Sequence, residues 1–224
     1  MDCFQIPIII NNFNRLTSFR EQIEWFIEAG YKNIHVSDNC SNYEPLLRYY
    51  HEISEKGFVK IHLLNENFGN HGFSKIPEFQ IIQQGWFVTT DPDVVPTEKT
   101  QKNLIEVLMG VALHFNALKV GVALKIDDIP DFNPHKDSIL SWENQFWENK
   151  VAEYIYEGAI DTTLALNCPQ SSGGWQGYKT YRVAGDCSCR HTTWYLDPNN
   201  LPEDELNYIR SMKKNSSHWS ENFC

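Results

Sequence analysis

The chain has 224 residues, of which 42% are hydrophobic and 21% are charged, and its formal net charge is −10. This composition supports one large domain with a sizeable core and argues against global disorder. The acidic balance argues against binding to nucleic acid. No stretch approaches the roughly 18–20 apolar residues of a membrane span, so we expect no transmembrane segment.

The cysteines predict a reducing environment. Their spacing is irregular and contains no C-x-x-C pair, which argues against a zinc knuckle or a disulfide framework. No signal peptide is visible at the start of the chain. We therefore expect a soluble cytoplasmic protein with reduced thiols. The six cysteines are Cys3, Cys40, Cys168, Cys187, Cys189 and Cys224.

The first third of the chain predicts alternating strands and helices. We expect strands at residues 6–10, 33–37 and 59–64, with a helix between each pair. Thr17 or Ser18 is the predicted cap of the first helix, and Gly30 its left-handed end. The alternation predicts a parallel sheet with right-handed crossovers, in which ligands bind at the carboxyl ends of the strands.

The rest of the chain is less regular. A turn-rich loop is expected at residues 65–72, and a flexible glycine-rich and serine-rich loop at 170–177. Helices are expected at residues 77–84, 99–115, 138–150 and 201–214. Further strands are expected at residues 85–90, 119–126, 162–167 and 178–183.

Asp91-Pro92-Asp93 directly follows the apolar strand at residues 85–90. In an extended stretch, residues one apart point the same way, so both carboxylates are expected to face one cation. Mn²⁺ or Mg²⁺ takes oxygen ligands and keeps positions open for phosphate. Such a cation neutralises the charge that builds on a diphosphate leaving group. An Asp-Pro-Asp sequence is also a common surface turn.

Five segments in chain order carry a family resemblance. They are residues 6–15, Asp38-Asn39-Cys40-Ser41, residues 65–72, Thr90-Asp91-Pro92-Asp93 with Pro96, and Arg190-His191-Thr192-Thr193-Trp194-Tyr195. Together they resemble the GT-A glycosyltransferases over about residues 5–200. The last segment is similar to one found in a small single-domain, family-2-like group of bacterial and large-DNA-virus enzymes.

The resemblance implies an α/β fold with a Rossmann-like, mostly parallel central sheet flanked by helices. It implies a single domain over residues 1–224. Within it, residues 1–96 form the nucleotide-binding half, residues 97–200 form the acceptor-binding half, and residues 201–224 form a C-terminal helix and tail.

The resemblance also implies a set of site residues. The nucleotide contacts are Asn12, Phe13, Arg15, Asp38, Asn70, His71 and Asp91. The metal ligands are Asp91, Asp93 and His191, and the phosphate or acceptor contacts are Arg190, Trp194 and Tyr195. Structural alternatives stay open: His191 as a hydrogen-bonded neighbour of Trp194, Arg190 in a surface ion pair, Asp38 as a turn cap, and His71 as an exposed loop residue.

An inverting transfer needs a carboxylate that removes the acceptor proton. Asp161 is the first candidate, because it precedes a predicted strand, and Glu143 is the second. Asp186, close to the His191 segment, is a third. Each can instead be a capping or surface carboxylate, and a retaining mechanism is possible if none acts as the base.

The sequence therefore predicts a metal-dependent glycosyltransferase that moves a sugar from a nucleotide-diphosphate donor, with UDP preferred, to a glycan or glycoprotein acceptor. A sugar nucleotidyltransferase is one alternative, but residues 11–15 lack the glycine-rich loop expected after its first strand. A non-catalytic carbohydrate-binding module on the same fold is the other alternative.

Overall fold

The structure is a computed structural model that describes residues 1–160, 163–169 and 179–212. The strands in these ranges are β1 Ile8–Asn12, β2 Ile34–Asp38, β3 Val59–Leu63, β4 Phe87–Thr90, β5 Val94–Pro96, β6 Lys119–Val122, β7 Lys150–Ala152, β8 Ile155–Glu157, β9 Ala165–Asn167, β10 Thr180–Val183 and β11 Cys189–His191. The α helices are α1 Thr17–Ala29, α2 Glu44–Ser54, α3 Phe79–Ile82, α4 Leu104–Phe115, α5 Lys136–Asn144 and α6 Glu203–Ser211. Short 3₁₀ helices cover Cys3–Gln5, Gly69–Lys75, Gln145–Trp147, Gly185–Cys187 and Thr192–Tyr195.

The main sheet has the strand order β3-β2-β1-β4-β9-β6-β10-β8-β7. The first four strands pair in parallel. Strand β9 pairs antiparallel with both β4 and β6, and β10 pairs in parallel with β6. Strands β1 to β4, β6 and β10 therefore run in one direction, which confirms the predicted α/β fold with a mostly parallel central sheet.

Apolar side chains cover both faces of this sheet. Ile8 and Ile10 of β1 belong to the larger buried cluster, which also contains Phe19 and Ile23 of α1. Ile9 points to the opposite face, where a smaller cluster includes Ile76, Phe79, Ile82 and Phe87. Burial on both faces explains why β1 is a continuous apolar run rather than an alternating one.

Helix α1 ends as predicted but begins differently. Gly30 has φ +98° at the C-terminal end, in the left-handed region that favours glycine. The predicted cap is wrong, because Thr17 is already the first helical residue. The backbone N–H groups of Leu16 and Thr17 instead donate to Asp204 Oδ2 of α6, at 2.9 and 2.7 Å.

A second, two-stranded sheet forms beside the main one. Strand β5 pairs antiparallel with β11, and this pairing places His191 opposite Val94. Neither strand was predicted, because each is only three residues long. The predicted helix at residues 138–150 ends at Asn144, and Lys150 belongs to β7. In the described part of the chain, no helix is both long and apolar enough to cross a membrane.

Candidate functional site

The Asp-Pro-Asp segment is a turn between β4 and β5. The extended conformation predicted for it is wrong, because Pro92 and Asp93 lie in a turn and Val94 N–H points back to Asp91 O at 3.4 Å. Gln22 of α1 holds the turn in place, since its Nε2 donates to the carbonyl oxygens of Asp91 and Val94, each at 2.7 Å. The turn therefore has a fixed geometry at the carboxyl end of β4.

Asp93 is a buried carboxylate between two basic groups. Its side chain is 10% exposed, and its Oδ2 accepts a hydrogen bond from Arg15 NH1 and lies 3.8 Å from His191 Nε2. Burial alone would raise the pKa of Asp93, but His191 and Arg15 hold it below its usual value. The carboxylate is therefore ionised at neutral pH and carries a charge that the site uses.

Arg15 is held by the C-terminal helix as well as by Asp93. Its NH2 donates to Glu205 Oε1 at 3.0 Å, and its guanidinium lies 4.0 Å from the ring centroid of Tyr208. Burial would lower the pKa of Arg15, but Glu205 and Asp93 raise it above its usual value. A permanent cation thus lies between two carboxylates in a buried position. Phe13 packs edge-on against Tyr208, with ring centroids 6.1 Å apart.

His191 is positioned by its neighbours in a way that fits metal binding. Its ring is parallel to that of Trp194, with centroids 4.8 Å apart, and its Nδ1 lies 2.5 Å from Thr193 Oγ1. This contact with Thr193 holds the ring so that Nε2 lies on the side of Asp93. The separation of 3.8 Å between Asp93 Oδ2 and His191 Nε2 is too long for a direct hydrogen bond.

Asp91 does not join Asp93 and His191 in this geometry. Among the described residues, the three predicted ligands do not bring their donor atoms within 4.8 Å of one another, whereas His35, His62 and Glu78 do. Asp93 and His191 thus bring one carboxylate oxygen and one imidazole nitrogen to the same side of the turn. The ligand roles of Asp91, Asp93 and His191 stay predictions.

Asp38 ends β2 in a closed hydrogen-bond network. It is 1% exposed; Oδ1 accepts from Ser41 Oγ at 2.5 Å and Tyr50 OH at 2.9 Å, and Oδ2 accepts from Ser41 N at 2.8 Å. Burial raises the pKa of Asp38, although these bonds act in the opposite direction. Asn12 donates to Tyr50 OH at 2.8 Å and to Arg15 O at 2.9 Å, which joins the ends of β1 and β2. Its buried Oδ1 has no hydrogen-bond partner among the residues that the structure describes.

The loop after β3 is fastened to the same edge of the sheet. Asn11 Nδ2 donates to Gly69 O at 3.0 Å, and Asn39 Oδ1 accepts from Phe68 N at 3.1 Å. Gly72 packs so closely that a Cβ atom there would lie 2.5 Å from Asn11 Oδ1 and from Asn39 Oδ1. The predicted nucleotide contacts Asn70 and His71 are exposed in this 3₁₀ segment.

Arg190 and Tyr195 share one carboxylate, which no sequence motif indicated. Arg190 NH2 and Tyr195 OH each donate to Asp128, both at 2.6 Å. Trp194 is 1% exposed and stacks against the His191 ring. The Trp194 ring therefore offers little surface to an acceptor. A cavity of about 270 Å³ lies beside this network and is lined by Thr17, Ser18, Glu21, Arg190, Thr192, Tyr195, Leu196, Pro202, Asp204 and Glu205.

The two favoured general-base candidates have different surroundings. Glu143 is 3% exposed, and its Oε2 accepts from Arg182 NH1 at 2.9 Å, while the Arg182 guanidinium lies 3.8 Å from the Phe146 ring centroid. This is a buried ion pair, in which removal of either partner would leave an uncompensated charge. Asp161, like the loop at residues 170–177, lies outside the described residues. Asp186, in the 3₁₀ helix before β11, accepts from Gln101 N through its backbone oxygen at 2.9 Å.

Sequence reasoning missed four residues that shape the site: Gln22, Asp204, Glu205 and Tyr208. Gln22 interrupts the apolar stripe of α1 between Phe19 and Ile23, and a polar residue in such a stripe is a detectable signal. The three α6 residues have no local signal, because an acidic helix start is also favoured by the helix dipole.

Solved structures share this fold, although no protein-family model and no curated protein matches the sequence. GalNAc-T7 with UDP, GalNAc and Mn²⁺ aligns over 84% of this chain and 43% of its own, at 15% identity and a TM-score of 0.55. The mannosyltransferase PcManGT from Pyrobaculum calidifontis with GDP-Man and Mn²⁺ aligns over 93% of this chain and 65% of its own, at 13% identity and a TM-score of 0.51.

Staphylococcus aureus TarS 1-349 is more distant. It aligns over 54% of this chain and 36% of its own, at 13% identity and a TM-score of 0.41. This chain therefore spans less than two thirds of the length of each of the three proteins. At identities this low, structural similarity establishes the fold alone. The chain has the GT-A fold of glycosyltransferases, as the resemblance of its motifs predicted.

Proposed function

We propose that this protein is a divalent-cation-dependent glycosyltransferase that uses a nucleoside-diphosphate sugar. The observation that carries the proposal is the ionised, buried Asp93, 3.8 Å from His191 Nε2 at the carboxyl edge of the sheet. This edge is where open α/β sheets bind their ligands. The structures of GalNAc-T7 with UDP and of PcManGT with GDP-Man, both with Mn²⁺, support the same class of donor and cofactor.

In the proposed mechanism, Asp93 and His191 would hold the cation, with Asp91 as the sequence-predicted third ligand. The bound cation would neutralise the diphosphate as it leaves. Arg15 adds a second fixed positive charge beside Asp93, and it acts on the site through its pairing with that carboxylate. The ends of β1 and β2, at Asn12 and Asp38, and the loop with Asn70 and His71 bind the nucleoside, for which UDP is our first choice.

Transfer itself moves one proton and one sugar. A carboxylate takes the proton of the acceptor hydroxyl, the oxygen bonds to the anomeric carbon, and the bond from that carbon to the diphosphate breaks with its electron pair on the leaving group. Asp161 is the proposed base, since the Glu143 carboxylate is engaged by Arg182. This gives an inverting reaction. Arg190 and Tyr195 lie on the side where we place a glycan or glycoprotein acceptor.

The test is calorimetric titration of the purified protein with UDP, GDP, dTDP and CMP, each with and without Mn²⁺. We expect one nucleoside diphosphate to bind only when Mn²⁺ is present, and Asp93→Asn to lose that binding. Asp131→Asn is the matched control, because Asp131 is 99% exposed and pairs only with Lys136 among the contacts described. It should bind as the unchanged protein does.

Three results would count against the proposal. Binding that needs no metal, or that survives Asp93→Asn, would remove Asp93 from the donor site. Binding without any turnover of the matching nucleotide-sugar, including slow hydrolysis, would favour the non-catalytic carbohydrate-binding module. Absence of nucleotide binding under every condition would leave the Asp-Pro-Asp segment as a structural turn.

A further inference from the structure

His35, His62 and Glu78 form a second polar cluster, at the edge of the main sheet. His35 lies on β2, His62 lies on the outermost strand β3, and Glu78 directly precedes α3. The register places His35 beside Ile9 and Lys60, so His35 and His62 project from the face that carries the smaller apolar cluster. None of these residues belongs to the Asp93 site.

The two imidazole rings lie edge to edge in one plane. His35 Nδ1 and His62 Nε2 are 3.0 Å apart, the ring planes differ by 2°, and the ring centroids are 5.3 Å apart. The greatest centroid distance that this nitrogen contact permits is reached when the contact and the two ring radii lie on one line. The observed centroid distance equals that maximum. The nitrogens therefore point directly at each other and share one N–H···N hydrogen bond.

The neighbouring amide determines which nitrogen carries each proton. Asn33 Nδ2 donates to Gln5 O at 3.0 Å, so Asn33 Oδ1 is the atom that faces His35 Nε2, at 3.1 Å. His35 Nε2–H therefore donates to Asn33, and its bare Nδ1 accepts from His62 Nε2–H. A neutral His62 is then left with a lone pair on Nδ1.

That lone pair faces a carboxylate rather than a donor. His62 Nδ1 and Glu78 Oε2 are 3.5 Å apart, and Glu78 Oε2 is a buried atom that has no hydrogen-bond partner within the described part of the chain. This separation is too long for a charge-assisted hydrogen bond. It matches two ligands of a tetrahedral metal ion, which with bonds of about 2.0–2.1 Å lie about 3.4 Å apart.

The donor atoms of this cluster suit a metal. In the tautomer that Asn33 fixes, the His62 ring presents its Nδ1 lone pair, and neutral imidazole is the form that binds metal ions. Imidazole and carboxylate together favour Zn²⁺ over Mg²⁺. The Glu78 side chain is 38% exposed, which leaves an entry path and room for water ligands.

We propose that His62 Nδ1 and Glu78 Oε2 bind a Zn²⁺-class ion, with His35 as the outer partner that orients the His62 ring. This site is separate from the cation of the nucleotide site and does not depend on the proposed transferase activity. The ion ties the edge strand β3 to the segment that leads into α3, two elements that the described backbone pairing does not join.

The experiment measures Zn²⁺ binding to the full chain after removal of metals with a chelator, by competition against a chromophoric chelator. We expect the unchanged protein to bind one Zn²⁺ more than H62Q and E78Q. H35Q should retain the site with an affinity about 10–100-fold lower, as is usual when the partner of a metal-bound histidine is removed. Loss of the site in D93N would assign the ion to the nucleotide site and overturn the proposal.

E55Q is the matched control. His51 and Glu55 form a similar His–Glu pair, with Nδ1 and Oε1 3.7 Å apart, but both side chains are more than 70% exposed, at 78% and 73%. E55Q should leave the Zn²⁺ stoichiometry unchanged. Equal Zn²⁺ binding by H62Q, E78Q and the unchanged protein would overturn the proposal. The cluster would then be only a row of hydrogen-bonded side chains.

A measurement on the unchanged protein covers the case in which a variant misfolds. In ¹⁵N NMR spectra of the imidazole nitrogens, Zn²⁺ should shift the His62 Nδ1 resonance strongly and the His62 Nε2 resonance weakly. An unchanged His62 Nδ1 resonance at saturating Zn²⁺ would contradict the proposal.

Discussion

Arg15 is the side chain on which the electrostatics around Asp93 depend. It is 4% exposed and pairs with Asp93 on one side and Glu205 on the other. Buried ion pairs add little net stability over apolar replacements, but removing one member leaves an uncompensated charge. Removing Arg15 should therefore destabilise the fold because both carboxylates lose their cation. Removing a carboxylate should do so because Arg15 loses a counter-charge.

The substitution Arg15→Met should lower the free energy of unfolding by about 3–5 kcal/mol, because Asp93 and Glu205 lose their common cation. Urea denaturation at pH 7 measures this change. Arg48→Met is the control, since the Arg48–Glu44 pair has side chains 64% and 70% exposed, and it should change the stability by no more than about 0.5 kcal/mol.

A double-mutant cycle tests the coupling between Arg15 and Glu205. Once Glu205 is replaced by Gln, Arg15→Met leaves one carboxylate without a cation instead of two. The two losses should therefore combine to less than their sum. Strictly additive losses would show that Arg15 and Glu205 do not share the interaction that the 3.0 Å contact indicates.

At the scale of elements, helix α6 contacts both Arg15 and the start of α1, although it lies near the end of the described chain. Asp204 accepts hydrogen bonds from Leu16 N, Thr17 N and Thr17 Oγ1, which satisfies the first N–H groups of α1. Glu205 and Tyr208 of the same helix hold Arg15. One helix thus fixes both the loop after β1 and the start of α1.

The substitution Asp204→Ala should lower the free energy of unfolding by about 1–2 kcal/mol, as loss of a helix cap does. It should also raise hydrogen exchange at the first turn of α1, 187 residues away in sequence from the changed position. Glu203→Ala is the control, because Glu203 is exposed in the same helical turn. Equal exchange at Leu16 and Thr17 in both variants would contradict the capping role.

At the scale of the whole molecule, one continuous sheet joins the two predicted halves. Strand β9 from the second half pairs with β4 of the first and with β6 of the second. Its central residue Leu166 is fully buried in the larger cluster. We therefore expect the halves to unfold together.

Calorimetry should give a single transition whose calorimetric and van't Hoff enthalpies agree. The substitution Leu166→Ala should lower the free energy of unfolding by about 2–5 kcal/mol and leave a single transition. Leu113→Ala is the control, because Leu113 is 66% exposed. Two separate transitions would contradict the single domain predicted over residues 1–224.

Local sequence patterns predicted the first half of the fold well. The strands β1 to β4 have four or five residues each and helices α1 and α2 have 13 and 11, which is long enough for their patterns to be detected. Gly30 ends α1 because only glycine readily adopts its φ of +98°. The short strands β5, β7, β8 and β11 were missed. A three-residue strand has too few residues for alternation to be detected, and its partner strand decides that it forms.

The sequence by itself determined the α/β class, the order of the first four strands along the chain and the position of Asp91-Pro92-Asp93 after β4. These depend on side-chain periodicity and turn residues, which act over a few neighbouring positions. Only the tertiary structure decided that Asp204 caps α1, that Arg15 lies between Asp93 and Glu205, and that His35 faces His62. These contacts join residues 27–190 positions apart, and burial and charge pairing select them only after the sheet has brought its strands together.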